Sequence, residues 1–378
     1  MTQAADLAGQ VMAAAEDSRP QLVDQLLRLT CVDAPSGDQV GLGAAPDRFE
    51  EALAELGGQV KRHTVSGITH LSTRLGPEGD GHVLILCHYD TVWPRGTAAE
   101  RPGRMADGVI SGPGVFDMRG GIVAALGALR LLGEHLGRPV ELLLTGDEET
   151  GSESSRELIL ERARGASLVL VTEPPLPGGA LKTSRKGWAA YSLQVTGRAA
   201  HAGLDPDRGV SAIDELVDQL REVAGVRDPQ QQTTVNIGTL GGGTMTNVVA
   251  AEASAELEIR AVTVAEQERA DEAMRSLSAR RDGADLKVTR RHSRPPMERT
   301  PEVAAAAARA TELAHELGFE LGEGAAGGTS DANLVASLGV PVLDGLGPEG
   351  DGAHALHEHI VVDSLVQRTA LIAMLLAA

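Results

Sequence analysis

The chain has 378 residues, of which 34 are basic and 53 acidic, so its formal net charge at pH 7 is −19. This negative charge disfavours nucleic acid and anionic membrane surfaces as partners. Aromatic residues make up only 2% of the chain and leave little to stack against bases. A chain longer than about 300 residues usually divides into domains, and we expect two here.

Cysteine content and the N-terminal segment indicate where the protein resides. Cys31 and Cys87 are too few for a disulfide framework, and we expect both to be free thiols in a reducing compartment. Segment 1–20 is polar and acidic and lacks the apolar core of a signal peptide. The sequence contains no run of about 18 apolar residues, so we expect no membrane-spanning helix. We therefore expect a cytoplasmic protein.

Strand and helix patterns alternate through the first 181 residues. Amphipathic helices are predicted over 20–33 and 46–56, and strands within 60–74. Short, mainly apolar runs then predict strands buried on both faces, because a half-exposed strand would alternate with polar residues. These runs cover 83–87, 140–144 and 168–171, with helices predicted over 122–132 and 154–164 between them. The alternation indicates an α/β fold with a mostly parallel sheet flanked by helices.

Residues 182–293 have a different pattern, in the order strand, helix, strand, strand, helix, strand. These elements are predicted over 188–195, 211–223, 233–239, 249–262, 265–281 and 286–290. Their order is typical of a ferredoxin-like α+β domain. The α/β pattern then resumes, with helices over 301–317 and 331–337 and a strand over 340–343. We therefore predict a catalytic domain built from 1–181 and 294–378, interrupted by an inserted domain of residues 182–293.

Histidine or acidic residues follow each of the buried strands and also precede helix 122–132. They are His88, Asp90, Asp117, Glu148, Glu149 and Glu173. Taken singly, each has an ordinary interpretation as a helix cap or a solvated turn residue. Because ligands bind beyond the carboxyl ends of parallel strands, four such loops at one sheet edge predict a shared site.

The residue types at this edge point to metal. Histidine and carboxylates without cysteine suit a catalytic rather than a structural zinc site. More carboxylates converge than one ion needs, and two divalent ions about 3.5–4 Å apart, bridged by a carboxylate, would balance them. Asp90, two residues after His88, would then fix the tautomer of that histidine. The same residue types would also accept Mn²⁺ or Co²⁺.

Four motifs occur in a fixed order along the chain. They are HYDTV at 88–92, GPGVFDMRGG at 112–121, DEETGS at 147–152 and TEP at 172–174. Together they resemble the successive signatures of the di-zinc amidohydrolase and exopeptidase family. That family includes glutamate carboxypeptidase, aminoacylase, and the acetylornithine and succinyl-diaminopimelate deacylases. The DTVWPRG segment at 90–96 is similar to that of bacterial glutamate carboxypeptidases of the folate-cleaving type.

The resemblance implies a division of the ligands between two zinc ions. Asp117 would bridge them. One ion would also take His88 and Glu173. The other would take Glu149 and His354, the first of three histidines between positions 354 and 359.

The resemblance also implies two residues that act on the substrate. Glu148 would be the general base that takes a proton from the attacking water. His201, in the inserted domain, matches a family histidine that reaches the partner's active site in a dimer and stabilises the oxyanion. The inserted domain would therefore serve as a lid and as the interface of a homodimer. A lone histidine after a strand is otherwise usually a surface residue.

Four further residues are candidates for substrate binding. Asn247 and Arg260 resemble family positions that contact substrate, although Arg260 suits an ion pair on a strand face equally well. Arg294 can bind a substrate carboxylate with two guanidinium nitrogens or lie in solvent at a hinge. Ser330 can place a helix N-terminus at the same carboxylate or simply cap that helix.

We therefore expect a di-zinc hydrolase that cleaves the amide bond of a small N-acyl amino acid or short peptide. A glutamate carboxypeptidase-like exopeptidase and an N-acyl-amino-acid deacylase would share the same metals and base, so the sequence leaves both open. A non-catalytic homologue would lack Glu148 or a metal ligand, and all six residues are present.

Overall fold

The computed structural model describes residues 2–38 and 43–377. The chain divides into two compact units. The first unit comprises Met1–Thr183, Arg299–Ala326 and Ser330–Ala378. The second unit comprises Ser184–Glu298 and Gly327–Thr329.

The helices and strands are numbered in chain order. The helices are α1 (Thr2–Asp17), α2 (Arg19–Thr30), α3 (Ala45–Ala54), α4 (Thr97–Glu100), α5 (Gly120–Leu132), α6 (Arg156–Ala163), α7 (Ala212–Ala224), α8 (Val264–Ser276), α9 (Pro301–Glu316), α10 (Asp331–Ala336) and α11 (Val362–Ala377). The strands are β1 (Val60–Val65), β2 (Ile68–Leu75), β3 (Val83–His88), β4 (Arg104–Ala106), β5 (Val109–Ser111), β6 (Val140–Thr145), β7 (Leu168–Val171), β8 (Leu181–Arg185), β9 (Gly187–Thr196), β10 (Thr234–Gly242), β11 (Glu252–Ala261), β12 (Asp285–Arg294), β13 (Glu323–Ala326), β14 (Val342–Leu343), β15 (Gly350–Asp351) and β16 (His359–Val361).

The central sheet of the first unit has the strand order β1-β2-β6-β3-β7-β14. Strands β6, β3, β7 and β14 pair in parallel, whereas β1 and β2 are antiparallel additions at one edge. Every residue of β3 and β6 is buried, which explains why their sequences are mostly apolar. The charged exception within β6 is Glu141, whose Oε1 lies 3.5 Å from Arg162 Nε. The four consecutive parallel strands match the prediction, and the antiparallel edge makes the whole sheet mixed.

Helices cover the apolar faces of this sheet. Helix α5 is buried at every residue except Arg130 and Leu131, and it packs against β3, α2 and α11. Helix α1 packs against α5 and α11 but was not predicted. Its buried residues include Ala8 and Ala15, which are too small to mark an apolar stripe in a polar segment.

A smaller sheet of the first unit was also missed. It has the order β15-β16-β5-β4, and all its strands pair antiparallel. No strand was predicted between residues 93 and 114, although Asp107-Gly108 between β4 and β5 is a hairpin signal. Both residues have the positive φ that such a turn requires, 49° and 78°. This sheet matters because residues 352–358, between β15 and β16, carry His354.

The second unit is a four-stranded antiparallel sheet with two helices. Its strand order is β10-β11-β9-β12, and α7 and α8 pack against β9 and β11. Strand β11 alternates exposed and buried residues along most of its length, as a sheet with one covered face requires. The sequence of elements agrees with the predicted ferredoxin-like order, although α8 ends at Ser276 rather than at residue 281.

Within residues 2–38 and 43–377, no helix combines the length and apolar character needed to cross a bilayer.

Candidate metal centre

Parallel pairing brings the loops after β3, β6 and β7 to one edge of the central sheet. His88 is the last residue of β3, and Glu173 is the second residue after β7. Asp117 lies in the turn Val115–Arg119 that leads directly into α5. A Cβ atom at Gly121 would lie 1.9 Å from the carbonyl oxygen of Thr172. Glycine therefore allows α5 to begin against the loop that carries Glu173.

His88 faces two of the predicted carboxylates. Its side chain is 2% exposed, and its Nε2 lies 3.2 Å from Asp117 Oδ1 and 3.5 Å from Glu173 Oε1. Ligand atoms of His88, Glu148 and Glu173 all lie within 4.8 Å of one another. The loops after three strands therefore meet at one point.

His354 faces the other side of Asp117. Its Nε2 lies 3.1 Å from Glu149 Oε2 and 3.4 Å from Asp117 Oδ2. Asp117 thus presents Oδ1 to His88 and Oδ2 to His354. The side chains form two groups that share Asp117, which is the arrangement in which a carboxylate can bridge two ions.

The charges at this centre shift one another's pKa. Burial works to raise the pKa of Asp117, but hydrogen bonds with His354 and His88 outweigh it and hold the pKa well below its usual range. Hydrogen bonds with Asp117 and Glu149 raise the pKa of His354 to about 10. Burial and the charge of Asp117 raise the pKa of Glu149. Neighbouring carboxylates such as Asp117 and Glu149 therefore favour the binding of a cation between them.

The donor set fits divalent cations. The predicted ligands are two imidazoles and three carboxylates without a thiolate, which suits a catalytic zinc site and also accepts Mn²⁺ or Co²⁺. The ligand atoms of His88, Asp117 and Glu149 lie within 4.8 Å of one another. A second such set, which also includes His88, contains Glu148 and Glu173.

Asp90 contacts more than the predicted histidine. His88 Nδ1 lies 3.0 Å from the backbone oxygen of Asp90 and 3.5 Å from its carboxylate. The carboxylate accepts hydrogen bonds from the backbone N–H groups of Glu148 and Glu149, each at 3.2 Å. The Ser36 hydroxyl donates to the same carboxylate at 2.7 Å. Asp90 therefore positions the Glu148-Glu149 turn, a role that the sequence did not reveal.

Buried polar side chains hold the same turn from its other end. Asp147 Oδ2 accepts hydrogen bonds from the N–H and hydroxyl of Ser154, both at 2.7 Å. Ser152, whose φ is 58°, donates its hydroxyl to Asp331. Neither role was predicted. The bond between Ser152 and Asp331 joins positions 179 residues apart, which no local pattern connects.

In the second unit, His201 lies in an exposed turn. Its Nδ1 accepts hydrogen bonds from the backbone N–H groups of Gly203 at 3.1 Å and Leu204 at 3.2 Å. A ring nitrogen that accepts is unprotonated, so neutral His201 carries its proton on Nε2. The backbone oxygen of Asn247 accepts from the N–H of Ala202 at 2.9 Å, which ties these two segments together.

Arg260 and Ser330 have ordinary structural contacts, whereas Arg294 is buried, so the alternative that it lies in solvent is wrong. Arg260 Nε lies 3.0 Å from Glu258 Oε1 on the same strand, and Arg294 is 4% exposed at the end of β12. Ser330 caps α10, accepting from the Ala332 N–H. These contacts match the structural alternatives for Arg260 and Ser330, and the roles of these residues in substrate binding remain predictions.

The sequence matches the family model described as peptidase family M20/M25/M40 over residues 84–378. It is 31% identical over 377 residues to carboxypeptidase G2 of Pseudomonas sp. (strain RS-16), covering 96% of this chain and 90% of that protein. It is 27% identical over 348 residues to succinyl-diaminopimelate desuccinylase of Dechloromonas aromatica (strain RCB), covering 86% and 90% respectively.

Solved structures share the fold. Aminopeptidase PepT of Bacillus cereus ATCC 10987 has a TM-score of 0.77 at 23% identity, covering 95% of this chain and 98% of that one. The M20 family metallo-carboxypeptidase Sso-CP2 of Sulfolobus solfataricus has a TM-score of 0.70 at 17% identity, covering 94% and 98%. The predicted α/β architecture and family resemblance are both confirmed. The chain belongs to the peptidase family M20/M25/M40 and is a metallohydrolase that acts on C–N amide bonds.

Proposed function

We propose that this protein is a di-zinc hydrolase that releases a C-terminal amino acid, with glutamate preferred, from an N-acyl or N-aminoacyl conjugate. The observation that carries the proposal is the pair of histidines, His88 and His354, on opposite oxygens of Asp117. The 31% identity to carboxypeptidase G2 supports the preference for a carboxypeptidase reaction.

The metal ligands would divide around Asp117. His88 and Glu173 would hold one ion, and Glu149 and His354 the other. Bound divalent ions would supply Lewis acidity, which polarises an amide carbonyl and makes water easier to deprotonate. Asp117 would contribute one oxygen to each group, as its 3.2 and 3.4 Å contacts with the two histidines suggest.

Glu148 would move the proton. Its backbone N–H is held by Asp90 at 3.2 Å, so the carboxylate extends from an anchored turn rather than from a free loop. A carboxylate in that position can take a proton from the attacking water and pass it to the nitrogen of the leaving amine. This transfer lets the amine leave as a neutral group.

His201 would stabilise the negative charge that develops on the carbonyl oxygen. With Nδ1 accepting from its own turn, Nε2–H is the donor available to an oxyanion. We further propose that the protein forms a homodimer through the second unit and that His201 acts in the partner's site. Asn247, Arg260, Arg294 and Ser330 remain candidates for contacts with substrate.

Deacylation of an N-acyl amino acid is the second candidate function. It is favoured by the 27% identity over 348 residues to a succinyl-diaminopimelate desuccinylase and by the similar identity to an acetylornithine deacetylase of Yersinia pestis. The two reactions break the same kind of bond and differ in which part of the substrate is recognised.

A panel of substrates tests both candidates. Purified protein, loaded with Zn²⁺ or Co²⁺, is given folate-like glutamate conjugates, other N-acyl-glutamates, acetylated amino acids and N-succinyl amino acids. We expect the highest kcat/KM for a conjugate with C-terminal glutamate. The highest value for an acetylated or succinylated amino acid would favour the deacylase. Absence of cleavage with two ions bound would contradict both.

A further inference from the structure

Glu358 is a buried carboxylate that the proposed chemistry does not use. It stands four residues after His354, in the hairpin between β15 and β16. Its side chain is 0% exposed. Because a buried carboxylate is costly unless hydrogen bonds satisfy it, the partners of Glu358 indicate what it holds in place.

Glu358 is bonded along the whole turn that carries Asp117. Its Oε1 accepts from the backbone N–H groups of Phe116 at 3.0 Å and Asp117 at 3.1 Å. Its Oε2 accepts from the N–H of Gly114 at 2.8 Å. The backbone oxygen of Glu358 also accepts from the N–H of Gly112 at 3.3 Å. One residue thus fixes the backbone of segment 112–117, which leads into and includes Asp117, at four points.

A third segment meets at the same carboxylate. The indole Nε1–H of Trp93 donates to Glu358 Oε2 at 2.8 Å. Arg101 lies over the Trp93 ring, 4.8 Å from its centroid, and donates to the backbone oxygen of Leu356 at 2.5 Å. The segment after β3 is therefore joined twice to the hairpin that carries His354.

We propose that Glu358 is a positioning residue that fixes the spacing between His354, in its own hairpin, and Asp117, in the neighbouring turn. The inference rests on the proposed function, because it takes both of those residues as metal ligands. His354 Nε2 and Asp117 Oδ2 are 3.4 Å apart, although Asp117 and Glu358 are separated by 241 residues of sequence. The bonds of Glu358 hold the two segments together and set this distance.

The substitution Glu358→Gln tests the inference with little change of volume. The amide replaces one acceptor oxygen with an NH₂ group, so two of the four N–H donors then face another donor, whichever way the amide turns. The matched control is Glu215→Gln in the second unit. Glu215 is also 0% exposed and accepts from the backbone N–H groups of Arg280 and Arg281.

Metal binding is measured directly on the full-length protein. Chelator-stripped wild type and both variants are titrated with Zn²⁺ by calorimetry and with Co²⁺ by visible absorption, and the melting temperature of each metal-free protein is recorded. We expect Glu358→Gln to weaken at least one binding step by about 10–100-fold and to alter the Co²⁺ spectrum. Glu215→Gln should bind as wild type does.

The outcomes separate the inference from the proposed function. Unchanged affinity and an unchanged spectrum in folded Glu358→Gln would overturn the inference alone. A wild type that binds no divalent ion would overturn the proposed function, and the inference with it. If Glu358→Gln does not fold, Trp93→Phe decides, because it removes one N–H donor to Glu358 and keeps an aromatic ring. Weaker metal binding by Trp93→Phe than by wild type supports the inference, and unchanged affinity contradicts it.

Discussion

The histidines of the two units are held in different ways. His88 is 2% exposed, and its Nε2 faces Asp117 at 3.2 Å and Glu173 at 3.5 Å, which come from other loops of the chain. His201 is exposed, and its ring accepts from N–H groups two and three residues further along its own turn. The first arrangement depends on segments far apart in sequence, and the second is local.

This difference has consequences for substitution. A side chain held by buried, long-range hydrogen bonds cannot be changed without moving its neighbours, because each unpaired buried polar group costs about 1–3 kcal/mol. A side chain held by its own turn can be removed with little effect elsewhere. Changes to a proposed metal ligand, or to a residue that positions one, should therefore alter metal binding or stability, whereas Glu148→Gln and changes at His201 should alter turnover alone.

The largest effect is expected at Glu148. Glu148→Gln removes the proposed general base but keeps the size of the side chain and the backbone N–H that Asp90 accepts. We expect kcat to fall on the order of 10²–10⁴-fold while two metal ions stay bound. Steady-state kinetics and metal analysis check this, with Glu157→Gln on α6 as the control. Retained turnover would remove Glu148 as the base.

His201→Ala should reduce turnover without affecting metal binding. Loss of one oxyanion donor typically lowers kcat by about 10²–10³-fold. The melting temperature and metal content should match those of wild type, because the His201 side chain bonds within its own turn. His135→Ala, at another exposed histidine, serves as the control. Loss of bound metal in His201→Ala would contradict the expectation that His201 can be removed without affecting the metal centre.

The residues that converge at the sheet edge were predictable from local sequence. Buried parallel strands such as β3 and β6 are visible as apolar runs, and the residues after them share one edge by geometry. The pairing of β16 with β5 was not predictable in this way. It joins positions such as Ile360 and Ile110, which no local periodicity connects.

The anchors of the site were hidden for the same reason. The Ser36 hydroxyl reaches Asp90 across 54 residues, and Glu358 reaches Asp117 across 241. Each anchor is an ordinary polar residue in its own segment, and its partner is decided by tertiary packing. Propensity and motif therefore identify candidate ligands better than the residues that position them.

A smaller effect is expected at Ser36, which contacts no proposed ligand side chain. Ser36→Ala removes the hydroxyl donor 2.7 Å from Asp90 Oδ2 and loosens the carboxylate that holds the Glu148-Glu149 turn. We expect zinc affinity to fall by about 10-fold, as measured by competition with a chelating dye. Ser337→Ala is the control, because the Ser337 hydroxyl bonds to the backbone oxygen of Leu334 within its own helix end. Equal affinities in the two variants would contradict a positioning role for Ser36.

The smallest effect concerns His70, a buried histidine on β2 that supports the same turn. Its Nδ1 accepts the backbone N–H of Gly146 at 3.2 Å, and its Nε2 lies 3.1 Å from the Ser154 hydroxyl. The Ser154 hydroxyl in turn donates to Asp147 at 2.7 Å. These bonds require neutral His70 with its proton on Nε2.

Burial lowers the pKa of His70, although the nearby charges of Asp147 and Asp90 act in the opposite direction. The unfolded chain therefore takes up a proton on His70 below about pH 6.5, before the folded protein does, so the contribution of this residue to stability is lost as the pH falls. His70→Asn abolishes this titration. The free energy of unfolding, from urea denaturation of metal-free protein, should then fall less between about pH 7.5 and 5.5, by at most about 1.4 kcal/mol. Identical pH dependence in wild type and His70→Asn would mean that His70 has the same pKa in the folded and unfolded states. Its bonds to Gly146 and Ser154 would then not require a neutral ring.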